Sequence, residues 1–283
     1  MRIAREREGV SAERPEAELD LDAVLATAVG AAHEAGAILM EHFGRLRPSD
    51  IASKGVARDL VTAADVASER ALVARLRAAF PTHAIEAEEE TRDARAADES
   101  QELRWFLDPL DGTINFVHQL PAFAVSMGLL RGSQPLVAVV HAPRLQETFA
   151  ARLGGGATLN GAPLRVSPCL ALEDAILATG FPYRRGQLAH DNLANFQGFF
   201  YSVRGIRRMG SAAVDLAYVA AGRFDGFWEL HLAPHDVAAG ALLVREAGGV
   251  VTDADGGENW LRGGHIVAAP AAMHRLIAER IRH

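Results

Sequence analysis

Cysteine is almost absent from this sequence, which contains a single one, Cys169, in 283 residues. One cysteine excludes an intrachain disulfide and a cysteine-rich zinc cluster. A chain of this length without disulfides is typical of a reducing compartment, so we expect a cytoplasmic protein.

Long apolar runs are also lacking, although 49% of the residues are hydrophobic. No uninterrupted run approaches the ~20 apolar residues that a membrane-spanning helix needs, so we expect no transmembrane helix. The first residues, MRIAREREGVSAERPEAELD, lack the apolar segment of a secretory signal. Residues 1–18 are charged and polar and contain Pro15, and we interpret them as a flexible N-terminal extension.

An excess of positive charge is missing as well, because 29 Lys and Arg residues stand against 36 Asp and Glu residues, for a net charge of −7. This balance disfavours a nucleic-acid partner, since phosphate backbones select basic surfaces. An acidic protein can still bind a small phosphate ester if metal ions supply the positive charge locally. The length allows one large domain or two closely joined lobes.

The segment WFLDPLDGTINFVH, residues 105–118, combines an apolar strand end with two carboxylates. Pro109 lies between Asp108 and Asp111 and prevents a helix from continuing out of the strand, so both acids are expected on one tight turn. Gly112 allows the backbone to approach an anion closely, and the amides after it can bind phosphate if a helical turn begins there. A DPxDG string is often only a turn, but carboxylates beside bare amides also suit a divalent cation that holds a phosphate.

Two further acids occupy the first turns of predicted helices. Asp65 ends the segment DLVTAAD and opens a helix predicted from about Ala64 to Phe80, and Asp236 opens a helix in HDVAAGALLVREAGG. The helix dipole alone can explain both acids, because it favours negative charge at an N-terminus. The functional alternative is that Asp65 orients a catalytic threonine or water and that Asp236 binds a metal.

The spacing His231-x-x-x-His235-Asp236 is similar to a zinc motif of the HExxH type. We reject zinc there because Pro234 lies between the two histidines and disfavours one continuous helix face. The remaining candidate ligands are carboxylates, which favour a hard, oxygen-bound cation such as Mg²⁺.

The pattern of elements changes near residues 166–174. Before this point, short strands separated by turns such as Asn160-Gly161 predict an antiparallel meander. After it helices and strands alternate, including a helix predicted from Leu188 to Tyr201. We therefore predict an N-terminal α+β lobe at residues 19–168, which carries the metal-site motifs, and a C-terminal α/β lobe at residues 169–283, which completes the active site.

Five motifs resemble, in order and separation, those of the inositol monophosphatase family of magnesium-dependent, lithium-sensitive phosphatases. They are DLVTAAD, AEE, DPLDGTINF, RRMGSAAVDLAYVAAGRFDGFWE and HDVAAGALLVREAGG. The resemblance covers the chain from Leu21 to the C-terminus, and DPxDGTxNF is highly specific. It implies a layered αβαβα sandwich of the inositol monophosphatase and sugar phosphatase type, a fold of the α+β or α/β class. It also implies a site between the lobes and, as is common in the family, a homodimer.

The resemblance also implies roles for individual residues. Thr113, hydrogen-bonded to Asp65, would orient the attacking water, and Glu88 is a further catalytic residue. Lys54 is a weaker candidate for supporting this loop. The implied ligands of two or three Mg²⁺ ions are Glu88, Asp108, Asp111, Asp236 and the carbonyl of Leu110. The implied substrate-binding residues are Gly112, Thr113, Ser211, Ala212, Glu229 and Asp236.

Two positions depart from the family pattern. Ala87 replaces the usual glycine before Glu88, and His235 replaces the usual tryptophan before Asp236. The histidine could change only the packing, reshape the substrate pocket or add a metal contact. Pro234 and the surrounding carboxylates argue against a metal contact, so we expect one of the first two outcomes.

The activity implied is Mg²⁺-dependent hydrolysis of a small phosphate monoester by a metal-activated water. The expected substrate is inositol 1-phosphate or a related polyol or sugar phosphate. Fructose 1,6-bisphosphate, histidinol phosphate and 3′-phosphorylated nucleotides are alternatives on the same scaffold. A non-catalytic, metal-binding regulator is a further alternative, which the presence of every expected carboxylate disfavours.

Overall fold

The computed structural model describes residues 19–95 and 99–283, so the predicted extension at residues 1–18 lies outside the described residues. The helices are α1 Leu21–His42, α2 Ala63–Ala79, α3 Thr113–Val117, α4 Leu193–Phe200, α5 Ala212–Ala220, α6 Pro234–Glu246 and α7 Ala271–Ala278. The first nine strands are β1 Ile51–Ser53, β2 Leu60–Thr62, β3 Ala84–Ala87, β4 Leu103–Asp111, β5 Ala124–Arg131, β6 Gln134–Ala142, β7 Glu147–Arg152, β8 Gly156–Leu159 and β9 Ala162–Pro163. The other strands are β10 Ile176–Thr179, β11 Gly205–Arg207, β12 Gly226–Leu230, β13 Val250–Thr252 and β14 His265–Ala269.

Side-chain caps fix where the helices begin. Asp20 accepts hydrogen bonds from the amides of Asp22 and Ala23 and starts α1, which satisfies donors that have no partner inside the helix. At α2, the side chain of Thr62 accepts from the backbone while Asp65 accepts from the amide of Thr62, the reciprocal arrangement of a capping box. Helix α2 therefore begins and ends within about one residue of the predicted Ala64 and Phe80.

Helix α1 is long and apolar enough to span a membrane by length and composition alone. It packs instead along α2 and the sheet that contains β6, with a buried face formed mainly by alanines. That small-residue face lets the helix approach the sheet closely, as in the core of a globular domain. The buried residues are Val24, Ala28, Ala31, Ala32, Ala35, Gly36 and Leu39.

Two sheets carry the fold. The larger one has seven strands in the order β3-β4-β5-β6-β7-β8-β9, parallel only between β3 and β4, so the predicted antiparallel meander is confirmed. The smaller one has five strands in the order β11-β10-β12-β14-β13, with β10 parallel to both of its neighbours. A separate two-stranded hairpin joins β1 and β2.

The helices and sheets stack in five layers. Helices α1 and α2 cover one face of the larger sheet, α5 and α6 fill the space between the two sheets, and α4 and α7 cover the far face of the smaller sheet. Alternation along β4 supplies both sides of the larger sheet, because Trp105 and Leu107 face α1 and α2 while Phe106 faces the central layer. The arrangement is the predicted αβαβα sandwich.

The C-terminal half differs from the sequence prediction at one helix. The helix predicted from Leu188 begins five residues later, at Leu193, because Asn192 has a φ of 74°, in the left-handed region that does not continue a helix. The boundary proposed between residues 168 and 169 falls between β9 and β10, the strands that end one sheet and begin the other. The division into lobes stays a prediction, since α5 and α6 share one apolar core with both sheets.

Candidate active site

A cavity of about 290 Å³ opens where the end of β4 meets the first turns of α5 and α6. Strand β12 and the segment after β10 form the opposite wall. Asp65, on α2, is not among the lining residues and reaches the site through its hydrogen bond with Thr113. The cavity is lined by the remaining predicted residues Glu88, Asp108, Leu110, Asp111, Gly112, Thr113, Ser211, Ala212, Glu229 and Asp236.

The turn at the end of β4 holds its two acids in different ways. Asp108 accepts a hydrogen bond at Oδ1 from the amide of Leu110, 2.9 Å away, which closes the turn around Pro109. Asp111 accepts at Oδ2 from the hydroxyl of Ser211 at 2.6 Å and from the amide of Ala213 at 2.7 Å. The register between β4 and β5 shifts between the two acids, so Pro109 and Leu110 leave the regular ladder, and both acids line the cavity.

Gly112 connects this turn to α3. Its φ of 96° lies in the region that favours glycine, and a Cβ here would be 2.9 Å from the carbonyl oxygen of Ala122. Helix α3 begins at the next residue, Thr113, as the phosphate-binding hypothesis requires. The chain therefore turns from strand to helix in a space that has no room for a side chain.

Thr113 and Asp65 form the predicted hydrogen bond. Oγ1 of Thr113 lies 3.1 Å from Oδ1 of Asp65 and 3.1 Å from the carbonyl oxygen of Leu110. The other oxygen of Asp65 accepts from the amide and hydroxyl of Thr62, at 2.9 and 2.6 Å. Burial raises the pKa of Asp65 to about 6, against the opposing effect of these hydrogen bonds. Asp65 therefore caps α2 and also contacts Thr113, and its catalytic role stays a prediction.

Two groups of side chains have the geometry to hold metal ions. One comprises Asp108, Asp111 and Asp236, and the other comprises Glu88, Asp108 and His235. Within each group the ligand atoms lie within 4.8 Å of one another, and Asp108 belongs to both. Asp108 and Asp111 lie at the end of β4 and Asp236 lies in the first turn of α6. These two elements meet at the cavity, which brings the three aspartates together.

The buried carboxylates destabilise one another when all are charged. Burial raises the pKa of Asp108 well above its ordinary value, and repulsion from Glu88, Asp111 and Asp236 adds to the effect. Burial and repulsion from Asp236 likewise raise the pKa of Asp111 to about 7. A cation between these oxygens would replace repulsion with attraction. The oxygen donors, the clustering and the electrostatics therefore fit hard divalent cations such as Mg²⁺.

Lys54, on the loop between β1 and β2, bridges two acids at the edge of the cavity. Its Nζ lies 2.7 Å from Oε1 of Glu88 and 2.5 Å from Oε1 of Glu89. Burial alone would raise the pKa of Glu88, but attraction from His235 and Lys54 outweighs this effect and lowers that pKa. Glu89 differs, because burial raises its pKa to about 7 in spite of Lys54. Glu88 is therefore held as an anion at the cavity.

Glu229 faces the cavity from β12. Burial raises its pKa to about 8, with Arg208 opposing the shift and Asp236 and Asp111 adding to it. A Cβ at Gly180 would collide with the carboxylate of Glu229, so this glycine makes room for the acid. At neutral pH a protonated Glu229 can both donate and accept hydrogen bonds, which suits sugar hydroxyls.

The cavity also contains residues that the sequence reasoning missed. Arg208 precedes the Gly210-Ser211 turn, and its position in RRMGSAA was a signal that could have identified it. Tyr183 and Asp215 carry no comparable motif. Burial raises the pKa of Asp215 well above its ordinary value, and its Oδ1 has no hydrogen-bond partner within the described part of the chain.

A second cavity, of about 480 Å³, adjoins the first through Phe181, Tyr183 and Arg208. Its wall also contains Arg58 and Arg185, with Asp191 as the only carboxylate among its lining residues. A positively charged, partly aromatic cavity thus borders the acidic one, in a chain whose net charge is −7.

The two histidines of the rejected zinc motif do not share a helix. Helix α6 begins at Pro234, so His231 lies before it, with a φ of 65° and with Nε2 2.7 Å from the carbonyl oxygen of His190. His235, however, stands beside Glu88 and Asp108 in one of the possible ligand groups. The sequence argument against a metal contact at His235 did not anticipate this position.

Comparisons with known proteins agree with the geometry. Residues 20–283 match the model of the inositol monophosphatase family. The Nus factor SuhB of Pseudomonas aeruginosa is 48% identical over 87% of this chain and 90% of its own length. The inositol-1-monophosphatase of Mesorhizobium japonicum is 42% identical over 92% of this chain and 96% of its own length. The crystal structure of the extragenic suppressor protein suhB from Bartonella henselae superimposes with a TM-score of 0.83 at 39% identity, over 91% of this chain and 98% of that chain.

Proposed function

Since this chain belongs to the inositol monophosphatase family and is a phosphoric monoester hydrolase, we propose that it hydrolyses inositol 1-phosphate or a related polyol or sugar phosphate with the help of Mg²⁺. The observation that carries the proposal is the cluster of buried carboxylates around Asp108, whose oxygen atoms lie within reach of a shared ion. The similarity to a protein named inositol-1-monophosphatase supports the choice of substrate.

The proposed ligands of two or three Mg²⁺ ions are Glu88, Asp108, Asp111, Asp236 and the carbonyl oxygen of Leu110. When bound, the ions would neutralise phosphate charge and make a water molecule more acidic. Such neutralisation matters because phosphate monoesters are among the slowest bonds to hydrolyse without a catalyst. The all-oxygen set supports Mg²⁺, which prefers carboxylate and carbonyl ligands.

The proposed role of Thr113 is to orient the attacking water. Its single hydroxyl proton faces two acceptors, Oδ1 of Asp65 and the carbonyl oxygen of Leu110, each 3.1 Å away. A hydroxyl whose proton is engaged can only accept a hydrogen bond from water. Asp65 thereby fixes the direction of the water through Thr113, and Glu88 is a further proposed contact of the same water at the cavity wall.

The phosphate is proposed to lie against the start of α3, where the amides of Gly112 and Thr113 can donate to its oxygens. The remainder of the substrate would face Glu229 on one side and Ser211 and Ala212 on the other. Protonated Glu229 is suited to hydroxyl groups, which both donate and accept hydrogen bonds. This pairing favours a polyol or sugar ester over a simple alkyl phosphate.

A panel of esters tests the proposal. Initial rates are measured for inositol 1-phosphate, fructose 1,6-bisphosphate, histidinol phosphate and a 3′-phosphonucleotide, with Mg²⁺, with excess chelator, and with Mg²⁺ plus Li⁺. We expect inositol 1-phosphate to have the highest kcat/KM, chelator to abolish turnover and Li⁺ to inhibit it. Full activity in excess chelator would contradict the metal-dependent mechanism.

A substrate with a second phosphate is the next candidate, and the arginine-lined cavity is the observation that favours it. Arg58, Arg185 and Arg208 could bind an anionic group on the leaving part of the substrate. Phe181 and Tyr183 offer aromatic faces beside them. A kcat/KM for fructose 1,6-bisphosphate or the 3′-phosphonucleotide above that for inositol 1-phosphate would support this candidate.

A regulatory role is a further alternative, because a relative at 48% identity is named Nus factor SuhB. The complete carboxylate set favours catalysis for this chain. Divalent cation binding without turnover of any ester in the panel would support the regulator and contradict the enzyme.

We also propose a cytoplasmic homodimer. The single cysteine supports the reducing location, and the family supports the dimer. Sedimentation equilibrium tests the oligomeric state, and a monomer throughout the concentration range would contradict it.

A further inference from the structure

His235 is a partly buried histidine whose ring has no hydrogen bond among the residues that the structure describes. Its Nδ1 is inaccessible and unpartnered, and its side chain is 11% exposed. Its Nε2 lies 3.7 Å from Oδ1 of Asp236, which is longer than a hydrogen bond. Buried polar atoms are almost always satisfied, so an unpaired ring nitrogen points to a partner that is not a protein atom, such as water or a cation.

The surroundings of the ring indicate the nature of that partner. Ligand atoms of Glu88, Asp108 and His235 lie within 4.8 Å of one another. Over the described ranges, no hydrogen bond or ion pair joins the imidazole to Glu88 or Asp108. The imidazole is therefore near enough to both carboxylates to bind the same ion, and it is too far from them to form a direct hydrogen bond or ion pair. A cation between the three groups satisfies all of them at once.

The position of His235 follows from the start of α6. Pro234 occupies the first position of the helix, where a missing N–H costs nothing, and His235 and Asp236 follow in the first turn. The proline separates His235 from His231, but it does not turn the imidazole away from the end of β4. The backbone carbonyl of His235 accepts a hydrogen bond from Ser126 of β5 at 3.3 Å, which ties this turn to the larger sheet.

We propose that His235 is a nitrogen ligand of the metal centre, together with Glu88 and Asp108, and that it shifts the preference of the centre from Mg²⁺ toward Mn²⁺ or Co²⁺. The inference rests on the metal site of the proposed function. A neutral imidazole keeps one ring nitrogen with a free lone pair, which can bind the ion. Imidazole suits transition-metal ions, whereas Mg²⁺ binds nitrogen poorly.

Metal binding measured without substrate tests the proposal. Chelator-stripped wild type, His235→Gln and His235→Trp are titrated with Mg²⁺, Mn²⁺ and Co²⁺ by calorimetry. We expect the Co²⁺ and Mn²⁺ affinities of both variants to fall by about 10–100-fold, and the Mg²⁺ affinity to change much less. The two variants differ in size and polarity, so a shared result reports the lost nitrogen and not a change in packing.

His265→Gln is the matched control. His265 lies on β14 with its ring against those of His231 and His283, and it belongs to neither possible ligand group. Its variant should bind all three ions as the wild type does. Circular dichroism of each apo variant checks that the fold is retained before affinities are compared.

The visible absorption of bound Co²⁺ gives an independent readout. A nitrogen donor changes the ligand field, so the wild-type spectrum should differ from those of both His235 variants and match that of His265→Gln. Identical Co²⁺ spectra for wild type and both His235 variants would overturn the proposal, as would equal Co²⁺-to-Mg²⁺ affinity ratios in these proteins. Neither result would contradict the metal site of the proposed function. Failure of the wild type to bind any of the three ions would instead overturn the proposed metal-dependent function.

Discussion

Asp111 is anchored through one oxygen, because Oδ2 accepts hydrogen bonds from Ser211 and Ala213 at the start of α5. Asp236 is anchored similarly, with Oδ2 2.6 Å from the amide of Ala233. In both residues the anchored oxygen fixes the carboxylate, and Oδ1 stays available to the cavity. Negative charge at these positions would bind the proposed ion, and it destabilises the folded state when no ion is bound.

We predict that Asp111→Asn and Asp236→Asn each lower kcat/KM by about 100-fold or more, because each removes a charged ligand while keeping the volume. The metal-free variants should be at least as stable as the wild type, since a buried like charge is removed. Steady-state rates and thermal unfolding in chelator measure the two effects. Near-wild-type turnover by either variant would refute its assignment as a ligand.

For Thr113, substitution by valine keeps the shape and removes the hydroxyl. We expect kcat to fall by about 10²–10⁴-fold with a small change in KM, because the residue is proposed to act on the water and not on substrate affinity. Thr113→Ser, which restores the hydroxyl, should recover much of the rate. Thr158→Val, on β8, removes a hydroxyl that donates to the carbonyl oxygen of Ala150 and does not line the cavity, so it should be neutral for kcat. An unchanged kcat in Thr113→Val would exclude the proposed role.

Among the elements, the turn from β4 into α3 is constrained by space at Gly112. Gly112→Ala would place a methyl group 2.9 Å from the carbonyl oxygen of Ala122, in addition to the strain of a positive φ. The matched control is Gly248→Ala, because Gly248 has a φ of 91° and its Cβ would meet nothing within 4 Å.

We expect the control to lose about 1–2 kcal/mol of unfolding free energy from the φ angle alone. Gly112→Ala should lose more than that and also lose activity, since the turn must shift away from Ala122. Denaturant unfolding of both variants gives the comparison. Equal losses would show that the close approach to Ala122 does not constrain the turn.

The loop after β1 carries Arg58, and the segment after β10 carries Arg185. Both arginines line the second cavity. We predict that Arg58→Gln and Arg185→Gln lower kcat/KM for fructose 1,6-bisphosphate by about 10-fold and leave inositol 1-phosphate almost unaffected, because only the former has a second phosphate. Arg184→Gln is the control, since Arg184 neighbours Arg185 in sequence and is not part of the cavity wall. Parallel losses on both esters would argue against an anion subsite.

At the scale of the whole molecule, buried acids link stability to pH. The folded-state pKa values of Asp65, Asp111 and Glu229 are about 6, about 7 and about 8, above ordinary values of 3.8, 3.8 and 4.5. Between each pair of values the folded protein binds more protons than the unfolded chain. Stability without metal must therefore fall as pH rises through this window.

In excess chelator we predict that Tm decreases steadily from about pH 4.5 to about pH 8, the range set by these three acids. Asp111→Asn should flatten the decrease, and Mg²⁺ should raise Tm most at the alkaline end, where the carboxylates are charged. Thermal scans with and without Mg²⁺ measure both effects. A Tm that rises with pH in chelator would mean that the acids are not destabilised by burial.

The sequence by itself determined the elements and the family. Helix start and stop signals predicted α2 within about one residue at each end, and alternating short runs predicted the antiparallel meander. The pattern DPLDGTINF placed a strand end, two acids and a helical turn in the right order, because proline and glycine dictate local backbone geometry. These features depend on neighbours in the chain, which a sequence displays directly.

Only the tertiary structure decided which distant side chains meet. Lys54 pairs with Glu88 across 34 positions, and Asp111 bonds to Ser211 across 100. The position of His235 beside Glu88 and Asp108 likewise follows from the packing of α6 against β4 and β5. The sequence argument at Pro234 considered one helix face, whereas the neighbours of His235 belong to other elements. Contacts of this kind are set by the burial of whole helices and sheets, which no local pattern specifies.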